Sequence, residues 1–424
     1  MITKPAMDIA VFMDEPNTWS LGYNFMYRNW EEYRKIFQFG RCSIIMLGCL
    51  MGYLLYRFGV ELWGRKGGLL ALFLYVFNPN IIAHSRLTTI DIGASCAVFF
   101  SIYCLWRYLK RKDLSSAILA GVALGLAQLS KFTALLLYPI FLIIIGVLAV
   151  SGAFLSNRTD CPGDAVLPEK KATMILRDLG FFSLIILISI LLINAGYLFS
   201  GSLTPLADYQ FLSEPLKKIA SLLWGALPVP FPYEYLCGFD SQLAISAGQH
   251  PFYANYLMGE HSLSGWWYYY IIAFIVKNPL ALLIVILLTL VFWVRGRQDG
   301  PGLETWLCIW APVAGLSIYL SFFSHVLIGI RLLLPIFPLL FLAAGYLCDV
   351  RFGKGKAWRT VMVVLVVTYL IPAISIFPNY LSYFNFASGG PGQGHYWMID
   401  SNLDWGGLFW ESRSKDIRNR ILPA

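Results

Sequence analysis

Ten apolar runs, most of them close to the length that crosses a bilayer, leave this chain few possible folds. In lipid every backbone N–H and C=O must be paired within the chain, so only helices and closed barrels span a membrane. Stretches such as FLIIIGVLAV and LALLIVILLTLVF are continuous rather than alternating, which excludes a barrel. Hydropathy predicts helical spans near 41–58, 67–83, 91–108, 114–130, 132–153, 179–199, 271–294, 305–324, 331–348 and 360–377. Only 13% of the 424 residues are charged, well under the roughly 25% of soluble domains. The expectation is an all-α polytopic membrane protein. Its parts are an outer segment 1–40, six helices over 41–199, an outer loop 200–270, four helices over 271–377 and an outer tail 378–424.

The formal charge of +8 lies mainly in short loops between the apolar runs. Alternate loops hold Arg57, Arg65 and Lys66; Arg107, Lys110, Arg111 and Lys112; Arg158, Lys170, Lys171 and Arg177; Arg295 and Arg297; and Arg351, Lys354, Lys356 and Arg359. These seventeen cations face six in the intervening loops, Arg86, Lys131, Lys217, Lys218, Lys277 and Arg331, so the richer side is expected to be cytoplasmic. Both tails then lie outside. Such a distribution sets orientation and gives no reason to expect nucleic acid. The cysteines, among them Cys42, Cys49, Cys96, Cys104, Cys308 and Cys348, form no CxxC pair and read as small buried hydrophobes. MITKPAMDIAVFMDEPNTWS lacks the charged flank, long apolar core and small-residue cleavage site of a signal peptide.

Chemistry is expected on the outer face, to which all five histidines (His84, His250, His261, His325 and His395) map. Asp91, in IIAHSRLTTIDIGASC, opens the third span, where a carboxylate at membrane depth costs on the order of a few kcal/mol and needs a partner. Three roles stay open: a helix cap, a catalytic or divalent-cation-binding carboxylate, and an ion pair with Arg86. Lys131, the only charge in GVALGLAQLSKFTALLLYPIF, is either a solvated hairpin residue or a contact for a lipid phosphate. Arg331, in SHVLIGIRLLLPIFPLL, either snorkels or grips phosphate oxygens. In the long loop, His250, Glu260 and His261 are further candidates, but HPFYANYLMGEH is no zincin pattern and GWWYYY reads as an interfacial aromatic belt.

NPNIIAHSRLTTIDIG, GVALGLAQLSKFTALLLYP, GQHPFYANYLMGEHSLSGWWYYYIIAFIVKNP, GIRLLLPIFPLLFLAAG and NYLSYFNFASGGPGQGHYWMIDSNLDWGG occur in the order found in another group of proteins. The chain resembles the bacterial branch of the protein O-mannosyltransferase-like family, membrane glycosyltransferases of the GT-C fold akin to the lipid A aminoarabinose transferases. The resemblance runs from about Trp19 to Trp405. It implies a polyprenyl-phosphate-linked sugar donor, inversion at the anomeric carbon, a protein, lipid or glycan acceptor, and a multi-pass place in the inner (plasma) membrane with the site facing outward. On this resemblance Asp91 matches the acidic residue beside the active site, and Lys131 and Arg331 match basic positions near the donor phosphate; the residues themselves add Arg86, His250 and Glu260 as expected substrate-binding candidates. Asp400, Asn402 and Asp404 match a DSNLDWG segment of unassigned role. The family usually opens with a membrane helix and an acidic loop, whereas Asp14 and Glu15 have no apolar span before them and Trp19 to Tyr27 resembles a later point of that loop. The resemblance therefore predicts a missing N-terminus. A lipid flippase or transporter, and an inactive truncated homologue, are the alternative expectations.

Overall fold

The computed structural model describes residues 18–29, 31–152, 168–221, 226–248, 255–295, 301–348 and 355–403. After α1 (Thr18–Arg28), α2 (Tyr33–Val76) is a hairpin of two arms broken at Gly64, whose φ of 69° suits a residue without a side chain. The arms pack so closely that a Cβ on Gly59 would lie 2.8 Å from the Cα of Gly68, and the Tyr75 hydroxyl donates to the Gly48 carbonyl at 2.7 Å. The expected spans 41–58 and 67–83 correspond to these arms. The second stops at Val76, short of the expected end, because Asn78 and Pro79 start a separate helix, α3 (Pro79–Ser85), capped by the Asn78 side chain on the Asn80 and Ile81 N–H groups.

Next come α4 (Asp91–Arg111), α5 (Leu114–Ser130), a 3-10 turn leading into α6 (Leu137–Ser151), and α7 (Pro168–Gly196). The 200–270 region holds α8 (Glu214–Ser221), α9 (Tyr233–Ser246) and a hairpin of β1 (Asn255–Leu257) and β2 (Glu260–Ser262), with Tyr256 opposite His261. The span expected over 271–294 is not one straight helix. It is α10 (Tyr269–Val276) and α11 (Leu280–Arg295), bent by 114° at Lys277, Asn278 and Pro279, because proline removes a donor and its ring blocks the helical path. Then follow α12 (Leu303–Phe322), a 3-10 helix Ile330–Ile336 running into α13 (Phe337–Ala344), α14 (Lys356–Ser375) and the short α15 (Gly394–Trp397).

Seven described helices are long and apolar enough to cross a membrane, or eight if the bent pair is one span. Dividing α2 at Gly64 and adding the seventeen-residue α5 gives the ten expected. This is a multi-pass helical membrane protein. Its ends differ. At one end Lys110 pairs with Glu304, the Trp106 indole donates to Thr305 at 3.0 Å, and Lys112 lies 3.3 Å from Asp178. Asp91, Lys131 and Arg331 meet at the other. The alternation of loop cations thus corresponds to alternating ends of the bundle. The aromatic block divides: Trp267 is exposed and stacks on Phe322, but Tyr269 and Tyr270 are buried, the latter donating to the Val326 carbonyl at 2.7 Å, so these two belong to the core and not to a belt. Cys42 and Cys49 lie on an exposed face, unlike the buried Cys96, Cys104 and Cys308.

Candidate functional site

Asp91 is the first residue of α4, one position inside the cap, and its side chain is fully buried. Its carboxylate accepts no helical N–H, which rules out the cap role. Instead Oδ1 accepts from Lys131 Nζ at 2.7 Å and Oδ2 lies 3.4 Å from Arg331 Nε. Lys131 reaches it because α5 ends there in extended backbone, with φ of −166°, before the 3-10 turn begins. Arg331 reaches it from the second residue of the 3-10 helix, directly after Gly329, whose φ of 89° bends the chain inward.

Two further basic groups complete the cluster. His84 on α3 is fully buried, and neither ring nitrogen finds a hydrogen-bond partner among the described residues. Burial pushes its imidazole down to about 4, against the pull of the Asp91 carboxylate. Lys277, at the α10–α11 bend, is 1% exposed, donates to the carbonyls of Leu381 at 2.7 Å and Asn402 at 2.8 Å, and lies 4.4 Å from the Phe384 ring centre. Asparagines bind the frame together. Asn80 donates to the Lys277 carbonyl at 2.7 Å, Asn78 to Asn278 at 3.3 Å, and Asn385 to the carbonyls of Ile275 at 2.6 Å and Asn278 at 3.0 Å. Lys131 and Arg331 thus converge on one carboxylate in a largely buried setting, while the Lys277 ammonium is spent on backbone carbonyls. An apolar cleft of about 280 Å³ opens between α10, α12 and the 3-10 helix, lined by Phe274, Trp310, Leu333 and Ile336 among others.

Asp91, Lys131 and Arg331 are thus brought together. Arg86 is not part of this group: it is exposed and donates to the Pro378 carbonyl at 2.8 Å, so its expected ion pair with Asp91 does not form. Glu260 is exposed on β2, and the turn of its hairpin docks on the tail, Met258 N–H donating to the Trp397 carbonyl at 3.1 Å. His250 and Asp404 lie outside the described residues. No three His, Cys, Asp or Glu side chains converge on a common point among the described residues. Lys277 and the asparagines at the breaks were not singled out as site residues. Their signals were a lysine ending the run YYYIIAFIVKNP and the paired turns NPN and KNP.

Residues 34–158 match the family described as dolichyl-phosphate-mannose-protein mannosyltransferase. The family resemblance read from the sequence is borne out. The matched segment begins in α2 and extends past α6, so it includes Asp91 and Lys131 and stops well before Arg331. Among solved structures, this chain is similar to the crystal structure of ArnT from Cupriavidus metallidurans bound to undecaprenyl phosphate, with a TM-score of 0.46 and 11% identity over 79% of this chain. It spans 50% of that protein's chain. No curated protein matches it.

Proposed function

We propose that this chain is a membrane glycosyltransferase that takes a sugar from a polyprenyl-phosphate donor and passes it, with inversion, to an acceptor hydroxyl at the outer face of the inner membrane. The observation that carries the reading is the meeting of Lys131 and Arg331 on one buried carboxylate. The name of the matched family supplies the donor class. In the reaction the acceptor oxygen bonds to the anomeric carbon, the bond from that carbon to the phosphate oxygen breaks, and the lipid phosphate leaves with the electron pair and takes up the hydroxyl's proton in the net reaction. Charge grows on the phosphate as it leaves, so Lys131 and Arg331 supply their stabilisation where it is needed. The apolar cleft lined by Leu333 and Ile336, on the helix that carries Arg331, is suited to part of the isoprenoid chain.

In this reading Asp91 holds the two cations ready until phosphate takes its place. Its oxygens face those cations and its side chain has no exposed surface, which leaves an acceptor hydroxyl no approach to it. A flippase is the second reading, favoured by the broken span, since transporters bind at such breaks. The break adjoins the cluster at one end of the bundle, however, whereas transporter sites lie near the midplane. Incubation of the purified chain in liposomes with radiolabelled polyprenyl-phosphate sugars and candidate acceptors tests both. Label appearing on an acceptor supports transfer. Label that crosses the bilayer and stays on the lipid refutes it.

A further inference from the structure

The 3-10 helix that carries Arg331 has no cap of its own: Gly329 precedes it and offers no side chain. Its first N–H is satisfied from a segment over seventy positions away. Ile330 N–H donates to Asn402 Oδ1 at 3.2 Å, while the Asn402 amide donates back to the Ile399 carbonyl at 3.0 Å, which fixes which end of the amide faces the helix. The neighbouring Ser401 hydroxyl donates to the Ile328 carbonyl at 2.6 Å, and Ser382 donates to the Leu403 carbonyl. Asn402 also gives its own carbonyl to Lys277 at 2.8 Å. The seating is close: a Cβ on Gly329 would lie 2.1 Å from Asn402 Oδ1. Ser401 and Asn402 are 2% and 1% exposed, so both are enclosed by what they touch.

We infer that residues 400–403 form a strap that sets the position of Arg331, with Asn402 as its positioning residue. The inference rests on the donor-phosphate reading above and gives a role to the DSN segment. Asn402 caps the helix from outside it and ties the cap to Lys277, so one side chain and one carbonyl register two of the site's cations against each other. Losing the cap lets the first turn of the 3-10 helix fray, and the guanidinium one residue on then samples positions away from Asp91 and from a bound phosphate.

The test compares Asn402→Ala and Asn402→Asp, the second of which keeps an oxygen for Ile330. Amide hydrogen exchange over residues 326–336 reads the strap without any ligand, and binding of undecaprenyl phosphate, with undecaprenol as the neutral control, reads its consequence. In Asn402→Ala, exchange over 326–336 should rise and phosphate-lipid affinity should fall, each about fivefold, while undecaprenol binding stays at the parent level. Asn402→Asp should recover part of the exchange protection lost in Asn402→Ala, because it keeps the oxygen for Ile330 and loses only the donation to Ile399. Unchanged exchange in Asn402→Ala overturns the strap. Faster exchange with parent affinity overturns the positioning role, as does an equal loss of phosphate-lipid and undecaprenol binding, which marks general damage. A parent chain that binds undecaprenyl phosphate no better than undecaprenol refutes the donor reading, and the positioning role with it, whereas the exchange data still decide whether the strap exists.

Discussion

Replacing Asp91 with asparagine keeps the shape of the side chain and removes the charge between Lys131 and Arg331. Asparagine can offer its oxygen to one cation only, and its amide N–H₂ then faces the other. Removing one partner from a buried ion pair costs about 3–5 kcal/mol, because the remaining charge is left uncompensated. Here the lysine and arginine side chains are 18% and 23% exposed, so water screens part of that loss and the low end, ~3 kcal/mol, is expected. Urea unfolding in detergent, followed by tryptophan fluorescence, gives the difference. The same argument predicts the cure. An anion seated on the two cations replaces the missing carboxylate, so saturating undecaprenyl phosphate should stabilise Asp91→Asn more than the parent, by linkage through a stronger native-state affinity. An asparagine variant as stable as the parent, with the same response to the lipid, would refute the buried ion cluster as the organising feature. A variant that binds the lipid normally and transfers no sugar would instead make Asp91 the proton acceptor.

Lys131→Ala and Arg331→Ala should each weaken binding of undecaprenyl phosphate by tenfold or so with little change for undecaprenol, measured by titration in nanodiscs, since charge-assisted hydrogen bonds are worth about 1.5–3 kcal/mol. Lys277→Met leaves the Leu381 and Asn402 carbonyls without their donor at about 1–3 kcal/mol each, so the 380–403 segment should become cleavable by protease while α4 and α5 stay protected; equal cleavage in variant and parent would sink this. His84 gives a pH test. Its folded value near 4 lies below the ordinary 6.5, so its contribution is complete above pH 6.5 and is lost as pH falls from there towards 4, roughly 3 kcal/mol in all. His84→Gln should flatten the stability profile across that window, and an unchanged profile would show that other groups set it.

The span count and the alternation of ends were legible because both depend on composition over some twenty residues at a time. What was hidden depends on single backbone positions. The KNP turn marks a break in the apolar run around Lys277, but the sequence does not show that Asn80, Asn278 and Asn385 would satisfy the carbonyls around it. Asp91 shows the same limit. An acidic residue at a helix start invites a cap, and the sequence contains no sign that Lys131 and Arg331, 40 and 240 positions on, would occupy both oxygens. Arg86, five residues away, was the nearer candidate and turned to Pro378 instead. Neighbours in sequence are favoured by reasoning from motifs, and this site is assembled from segments distant in the chain.

The two ends of the bundle suggest why the cluster forms where it does. At the Lys110–Glu304 end, helices are joined side chain to side chain. At the Asp91 end the backbone is interrupted repeatedly: before Pro79, at Pro279 and at Gly329. Each interruption frees N–H and C=O groups that lipid cannot satisfy, so irregular backbone at this depth is tolerated only where protein supplies partners. Asn78, Asn385 and Asn402 are those partners, one for each break. Of these, Asn402 also accepts from Lys277 through its carbonyl and caps the residue before Arg331. Had the helices run straight, these cations would have to be brought together by long side chains alone, each losing about 1.5–2 kcal/mol of rotamer freedom. Because the backbone turns inward instead, part of that ordering is achieved when the chain folds, before any phosphate arrives.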